Sequence, residues 1–209
     1  MADKRITVVG CGPGSPECVT PEARAACVGA DVLVGSVRAL ELFPECRGRR
    51  LILNGDSRSL LEAVAALDAT EQVAVLVTGD PGIASLGTLA IRRFGRGTCR
   101  VVPGISSAQV AFARLGLNWT GARILSAHHA RPNAACAGED VLAVLAGAKE
   151  SFGWIADLLE ACGAGYAAFV CEDLTLASER VRRVDRAQLR VGGFSHRTVV
   201  VIVKEELIA

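Results

Sequence analysis

The stretch Gln72-Val73-Ala74-Val75-Leu76-Val77-Thr78, which runs directly into Gly79-Asp80-Pro81-Gly82, joins a continuous apolar run to an abrupt turn. A run of this length and β-branched character, bounded by turn residues, is typical of a strand buried on both faces of a sheet. A similar run occupies residues 6–10, a further strand is predicted at 99–102, and each leads into a turn that contains glycine. The pattern therefore predicts parallel strands whose carboxyl ends carry loops.

Amphipathic segments separate these predicted strands. Thr20-Pro21-Glu22 predicts the start of a helix, because threonine caps, proline fits the first turn and glutamate favours the positive end of the helix dipole. Residues 57–67 place their apolar side chains at helical spacing. This alternation of strands and helices predicts an α/β fold with a mostly parallel sheet.

A short segment with glycine at both ends, residues 116–121, is the predicted boundary between two α/β domains, residues 1–117 and 122–209. The charged segment 179–190 is predicted to be exposed. The regular elements predicted in the second domain are strands at 122–125, 141–145, 167–171 and 198–203 and a helix at 151–161.

Composition excludes several classes of protein. The 209 residues include 23 Lys+Arg and 22 Asp+Glu, and aromatic residues make up 4%, which argues against a nucleic-acid-binding protein. No apolar run approaches the roughly 18–20 residues of a membrane helix. The first residues lead straight into a strand without an apolar targeting region, so a cytoplasmic protein is expected.

The eight cysteines form no Cys-x-x-Cys pair, and their spacing fits no zinc or iron–sulfur motif. Most of them lie within apolar stretches. The sequence therefore predicts no metal site and reduced cysteines that serve as small apolar residues.

Four turns follow predicted strands and could carry chemistry, because ligands of open parallel sheets bind at the carboxyl ends of strands. They lie at 10–14, 79–82, 103–107 and 126–129. The first turn lacks the third glycine of a dinucleotide-binding fingerprint, since Ser15 stands at that position. Its glycines nevertheless suggest that something approaches the backbone closely.

Polar side chains in the other turns allow two interpretations each. Asp80 could bind hydroxyl or amino groups of a ligand, or it could cap the following turn. Ser106 could cap a helix, and a capped helix end can also hold a ligand. His128 and His129 belong to no metal motif and are either site residues or surface histidines.

Taken together, these segments resemble the tetrapyrrole methylase family, the class III S-adenosylmethionine-dependent methyltransferases. The resemblance covers nearly the whole chain and rests on the ordered set at 9–23, 78–82 and 102–107. Within the family, the chain is most similar to the subgroup that methylates carbon 5 of (cobalt-)precorrin-7 in cobalamin biosynthesis, and equally similar to the N-terminal part of fused C5,15-methyltransferases. The segments that indicate this subgroup lie at 34–45, 109–117 and 126–128.

Two features differ from the family pattern. The subgroup has His-Gly-Arg after the sixth strand, whereas this chain has His128-His129-Ala130-Arg131, and we favour His128 as the equivalent histidine. The second methyltransferase domain of fused relatives has no counterpart in this sequence, so C15 methylation and decarboxylation are not expected of it.

The resemblance implies two α/β domains with the active site in the cleft between them, and methyl transfer to an electron-rich ring carbon. Residues implied for S-adenosylmethionine are Asp80, Ile83, Ser106, Ser107 and Leu145. Residues implied for substrate are Gly10, Gly12, Pro13, Gly14, Arg38 and Arg131. His128 and Glu172 are the candidate proton acceptors. For Arg38 and Arg131, the alternative interpretation is a solvated charge at the surface.

The implied partners are a tetrapyrrole substrate, a second copy of the chain in a homodimer, and a separate C15-methylating, decarboxylating protein. Two alternatives stay open. One is another family member that acts at a different ring position. A ribosomal-RNA methyltransferase and a diphthine synthase share the architecture, but the balanced charge and few aromatic residues argue against RNA. The other alternative is a non-catalytic protein that binds a tetrapyrrole or a nucleotide.

Overall fold

The computed structural model describes residues 5–52, 57–128 and 130–208, and the chain divides into two compact units, 1–106 and 107–209. Helix α5 (Ser107–Leu115) contacts strand β10 (Thr198–Lys204) and therefore packs with the second unit. The division thus falls ahead of the predicted boundary at 116–121, which forms the loop after α5.

The first unit contains a five-stranded parallel sheet with the order β3-β2-β4-β1-β5. Its strands are β1 (Ile6–Gly10), β2 (Val32–Gly35), β3 (Arg49–Ile52), β4 (Val73–Val77) and β5 (Cys99–Val102). Its helices are α1 (Pro21–Val28), α2 (Val37–Glu41), α3 (Ser57–Ala65) and α4 (Leu86–Phe94). The predicted alternation of strands and helices is confirmed in this unit.

Hydroxyl side chains begin three of these helices. The side chains of Thr20 and Ser36 accept hydrogen bonds from backbone N–H groups at 3.1 and 3.3 Å, and that of Ser85 accepts one at 3.1 Å. Each bond satisfies a donor that has no partner inside the helix. Every residue of β4 is buried, as the unbroken apolar run predicts.

All eight cysteines are free thiols, and six of them are buried. Burial raises the pKa of Cys11 to about 12 and that of Cys171 to about 12, so both thiols stay protonated at neutral pH. The prediction that the cysteines serve as small apolar residues is therefore confirmed for the six buried ones.

The ends of β1, β4 and β5 meet backbone to backbone. A Cβ atom on Gly104 would lie 2.3 Å from the Gly79 carbonyl oxygen and 2.7 Å from the Gly10 carbonyl carbon. A Cβ atom on Gly10 would in turn lie 2.5 Å from the Gly104 nitrogen. Only glycine fits at these two positions, since real Cβ atoms do not approach other heavy atoms so closely.

A two-way hydrogen-bonded contact extends this junction. The Gly79 N–H donates to the Gly12 carbonyl at 2.8 Å, and the Gly12 N–H donates to the Gly79 carbonyl at 3.4 Å. Gly12 has a φ of +74°, and a Cβ there would meet the Cys18 carbonyl oxygen at 2.6 Å. The sequence predicts that something approaches this glycine turn, and the structure identifies it as the chain's own backbone.

The second unit contains a five-stranded sheet with the order β6-β7-β10-β8-β9. Its further elements are β6 (Arg123–Ser126), β7 (Val141–Ala146), α6 (Ser151–Cys162), β8 (Tyr166–Glu172), β9 (Arg180–Val184) and α7 (Arg186–Val191). Short 3-10 helices lie at Pro16–Cys18 in the first unit and at Ala134–Gly138 and Glu205–Leu207 here. Among the described residues, no helix is long and apolar enough to cross a bilayer.

Strand directions in the second sheet differ from the mostly parallel pattern expected of the fold. Only β6 and β7 are parallel neighbours, and the other three neighbouring pairs are antiparallel. Strands β8 and β9 are joined by the short segment 173–179, which has no crossover helix, so they pair antiparallel. The carboxyl ends of β6, β7 and β8 therefore share one edge with the starts of β9 and β10.

A hydrogen-bonded cluster closes the end of β8. The Asp173 carboxylate accepts bonds from Ser195 Oγ at 2.7 Å, Arg197 Nε at 2.8 Å and Ser178 Oγ at 3.0 Å. Burial acts to raise the pKa of Asp173, but these three donors outweigh it and hold the pKa below its usual range. The backbone of Asp173 has a φ of +48°, which few side chains tolerate.

The predicted exposure of segment 179–190 is confirmed for most of its side chains, but the segment also forms a strand, β9, and a helix, α7, that the sequence expectation lacks. Asp185 and Gln188 form a reciprocal capping box at the start of α7. This Asp-x-x-Gln spacing was a readable signal for the helix.

We expect Gly104→Ala to lower the free energy of unfolding by about 1–3 kcal/mol, because its Cβ would force apart three backbone segments. Urea unfolding followed by circular dichroism measures the change. Gly153→Ala in α6 is the control, since a Cβ there meets nothing within 4 Å; helix propensity predicts a gain of about 0.5–1 kcal/mol. Equal stability of Gly104→Ala and wild type would contradict the close contact.

We expect Asp173→Asn to destabilise the protein by about 1–2 kcal/mol near neutral pH, because asparagine keeps the shape and tolerates positive φ but loses the charge. The folded-state pKa of Asp173 is depressed, so its contribution is present above the unfolded-state pKa of about 3.9 and is lost as pH falls through the folded value. Urea unfolding from pH 7 to pH 3 should show the two proteins converging. The exposed Glu206→Gln serves as control, and a pH-independent difference would refute the charge effect.

Candidate functional site

Asp80 links two turns at the carboxyl edge of the first sheet. Its Oδ1 accepts the Gly82 N–H at 2.8 Å and its Oδ2 accepts the Gly104 N–H at 3.1 Å. The turn-capping interpretation of Asp80 is therefore confirmed, and the same carboxylate also ties 79–82 to 103–106. A carboxylate has about four acceptor positions, so two bonds leave room for a ligand donor.

Apolar and hydroxyl groups flank Asp80 along the chain. The Ile83 N–H donates to the Asp80 carbonyl at 3.2 Å, and the Ile83 side chain is partly buried. Ile105 follows Gly104 and is 37% exposed, while Ser106 is almost completely buried. Ser107 is the first residue of α5, so Ser106 occupies the position that precedes the helix, as predicted.

The turn at 10–14 is buried throughout. The chain's own backbone packs against Gly10 and Gly12, and Pro13 and Gly14 complete the buried turn. Arg38 is half-buried in the short helix α2, which begins directly after β2. Because the sheet is parallel, Arg38 lies toward the same edge as the glycine turns.

His128 follows β6 at the edge of the second sheet. A Cβ atom on Gly147 would lie 2.7 Å from His128 Nδ1 and 3.3 Å from the His196 carbonyl oxygen, so the imidazole rests against the backbone after β7. His129, the neighbouring candidate, lies outside the described residues. Leu145 is buried near the end of β7, and its register partner on β6 is Ser126.

Glu172 ends β8 with no exposed surface. Its Oε1 accepts bonds from Arg180 at 3.2 Å and from the Ser195 N–H at 2.9 Å, and its Oε2 accepts one from Arg182 at 3.1 Å. The carboxylate is thus surrounded by cationic and backbone donors. This environment favours an anchoring role for Glu172 over proton transfer to or from a substrate.

The second unit brings some predicted residues together and separates others. His128, Leu145 and Glu172 all lie at one edge of the sheet. Leu145 and Glu172 point to opposite faces, since Val144 and Val170 share the core that packs against α6. Arg131 is 61% exposed and pairs with Asp157 of α6 at 2.7 Å, as its surface-charge interpretation predicts.

Several residues at these edges were not identified from the sequence. Gly147, Ser195, Arg180 and Arg182 all contact predicted site residues. For the segment that contains the two arginines the sequence predicts only exposed charge, because no spacing rule pairs them with a glutamate eight to ten positions earlier. Among the described residues, no group of three or more His, Cys, Asp or Glu side chains could hold a metal ion.

Comparison with known proteins assigns these features to a family. The model of the tetrapyrrole (corrin/porphyrin) methylases matches residues 5–190. The cobalt-precorrin-7 C(5)-methyltransferase of Salmonella typhimurium is 37% identical over 123 residues, which cover 59% of this chain and 61% of that protein. The match therefore spans less than two thirds of that relative's length.

Two further similarities cover nearly the whole chain. A probable cobalt-precorrin-7 C(5)-methyltransferase of Methanocaldococcus jannaschii is 29% identical over 96% of this chain and 99% of its own length. The crystal structure of uroporphyrin-III C-methyl transferase from Thermus thermophilus, complexed with S-adenyl homocysteine, aligns with a TM-score of 0.75 and 23% identity over 95% of this chain and 92% of its own. The fold is thus shared with a methyltransferase. Because the family match extends through both compact units, the chain belongs to the tetrapyrrole (corrin/porphyrin) methylase family.

Proposed function

We propose that this chain is an S-adenosylmethionine-dependent methyltransferase of cobalamin biosynthesis that methylates C5 of (cobalt-)precorrin-7. The observation that carries the proposal is the junction of three glycine turns at one sheet edge in a chain that belongs to the tetrapyrrole methylases. Relatives named for this reaction, including those of Salmonella typhimurium and Methanocaldococcus jannaschii, support the choice of substrate.

The residues at this edge fit the adenosyl donor. Asp80 offers free acceptor positions for amino or hydroxyl groups, and Ile83 and Ile105 offer apolar surface. We propose that these residues, with Ser106, Ser107 and Leu145, line the donor site. The donor, when bound, supplies an electrophilic methyl group on a positively charged sulfur.

The contribution that we propose for the protein is alignment. Holding the methyl group and the acceptor carbon in line supplies on the order of 7–11 kcal/mol of the barrier reduction. The macrocycle supplies its own nucleophilic carbon, so no strongly activated side chain is required. Apolar side chains such as Ile83 and Ile105 exclude water where the sulfonium charge disperses.

A proton leaves the acceptor after the new carbon–carbon bond forms. We propose His128 as the group that accepts it, because its ring is partly accessible and held against Gly147. Glu172 is the weaker candidate, since its carboxylate is buried among its own donors.

The proposed substrate contacts lie in the glycine turn of the first unit and on two arginines. We propose that the buried turn of Gly10, Gly12, Pro13 and Gly14 shapes the entry for the macrocycle. Arg38 and Arg131 remain proposed partners for its carboxylates; Arg131 would have to exchange its ion pair with Asp157 for a substrate carboxylate. We also propose a cytoplasmic homodimer that hands its product to a separate C15-methylating, decarboxylating protein.

A second ring position is the main competing function. The uroporphyrin-III methyltransferase has the same fold, so the architecture by itself is compatible with methylation at another carbon. Turnover also separates the enzyme from a protein that only binds a tetrapyrrole.

We expect mass spectrometry to detect the gain of one methyl group when the protein is incubated with S-adenosylmethionine and precorrin-7 in metal-free and cobalt forms. Fragmentation or NMR of the product locates the methyl group at C5. Methylation at another carbon would assign the alternative ring position, and binding without turnover would refute the enzymatic proposal.

We expect Asp80→Ala to weaken binding of S-adenosylhomocysteine about tenfold or more, because the variant loses a charged acceptor and frees the Gly82 and Gly104 N–H groups. Isothermal titration calorimetry measures the dissociation constant. Glu62→Ala is the control, since Glu62 is an exposed acid of the same unit that pairs with Arg93. Unchanged affinity of Asp80→Ala would remove Asp80 from the proposed donor site.

A further inference from the structure

Two arginines of β9 converge on one buried carboxylate. Arg180 and Arg182 lie two residues apart and so point to the same face of the strand. Arg180 bonds Oε1 of Glu172 at 3.2 Å, and Arg182 bonds Oε2 at 3.1 Å. One negative charge thus holds two positive charges side by side.

The two guanidinium groups carry more positive charge than the one Glu172 carboxylate neutralises, and more N–H donors than it accepts from. Within the described part of the chain, Arg180 and Arg182 each donate a single hydrogen bond, although a guanidinium group has five N–H donors. Their side chains are 61% and 49% exposed, whereas Glu172 is completely buried. The cationic surface therefore faces solvent while its counter-charge does not.

The pair is also held in place before any ligand arrives. The Arg182 guanidinium lies 5.0 Å from the centre of the Phe194 ring, and that ring packs 4.9 Å from Phe152 in the first turn of α6. The Ser195 N–H adds a further bond to Glu172 at 2.9 Å. Such anchoring lowers the entropy cost of binding an anion.

The position of the pair relates it to the proposed site. Arg180 pairs in register with Glu172, at the same sheet edge that carries Leu145 and His128, but its side chain lies on the opposite face of the sheet from Leu145. Three strand-to-strand spacings separate β7 from β9, and they correspond to a distance of about 14–15 Å across the sheet. A large ligand that lies across the strand ends at this edge can contact both the end of β7 and the arginines of β9.

We propose that Arg180 and Arg182 form a binding site for the carboxylate side chains of the tetrapyrrole substrate. Guanidinium groups match carboxylates in geometry and charge. The inference rests on the proposed function only for the identity of the polycarboxylate, because the cationic surface is a property of the second unit alone.

Direct binding of uroporphyrin III, a porphyrin whose ring carries acetate and propionate side chains, tests the inference by fluorescence titration. We expect Arg180→Gln and Arg182→Gln each to raise the dissociation constant about tenfold, as loss of a charge-assisted hydrogen bond predicts. Raising the salt concentration should weaken binding to wild type more than to either variant. Each single variant leaves Glu172 one arginine and the Ser195 N–H, so the buried carboxylate stays compensated.

Arg183→Gln is the matched control. Arg183 lies on the same strand, points to the opposite face and pairs with the exposed Glu205. The double variant Arg180→Lys/Arg182→Lys keeps the charge but loses the planar donor array, and we expect it to bind with intermediate affinity.

Porphyrin affinity equal in wild type and the glutamine variants, or no porphyrin binding by wild type, would overturn the inference. Affinity for S-adenosylhomocysteine, measured on the same samples, should not change in any variant. Arginine-dependent porphyrin binding without methyl transfer would sustain the inference and refute the proposed function.

Discussion

The close approach of Gly10 and Gly104 is the constraint on which the first unit depends. The two backbones are so close that a methyl group on either residue would lie within 2.8 Å of other heavy atoms. The Asp80 carboxylate also accepts a hydrogen bond from the Gly104 N–H. Three consecutive strand ends are thereby joined into one surface. The locations of Ile83, Ile105 and Ser106 follow from that junction, since each lies within three residues of it.

Charged groups connect the strand ends at one edge of the second sheet. Glu172 and Asp173 are adjacent residues, and each carboxylate accepts hydrogen bonds from its own donor atoms. Ser195 serves both, through its N–H to Glu172 and its hydroxyl to Asp173. Removing one partner from such a network leaves a buried charge uncompensated, which costs more than the bond itself contributes.

Much of the fold was predictable because the first unit uses local rules. Apolar runs, the Thr20-Pro21 helix start and the glycine turns each act over a few residues, and the structure confirms them. Strand β9 was missed because arginines 180, 182 and 183 interrupt its apolar pattern. Arg180 and Arg182 are stabilised by Glu172, a partner that no local rule connects to them. The ion pairs and the antiparallel hairpin therefore required the structure, as did the contact of His128 with Gly147.

The order of strands in the second sheet has a consequence for synthesis on the ribosome. Strand β10 lies between β7 and β8, so the sheet lacks its central strand until residue 204 has been added. The first sheet, in contrast, has all its strands once residue 102 has emerged. Domains generally fold as units in the order of synthesis. The nascent chain therefore carries a complete first sheet while two half-sheets, β6–β7 and β8–β9, still lack the strand that joins them. The apolar strands β7 and β8 are without their central partner during this interval, which is when chaperones have most apolar surface to bind.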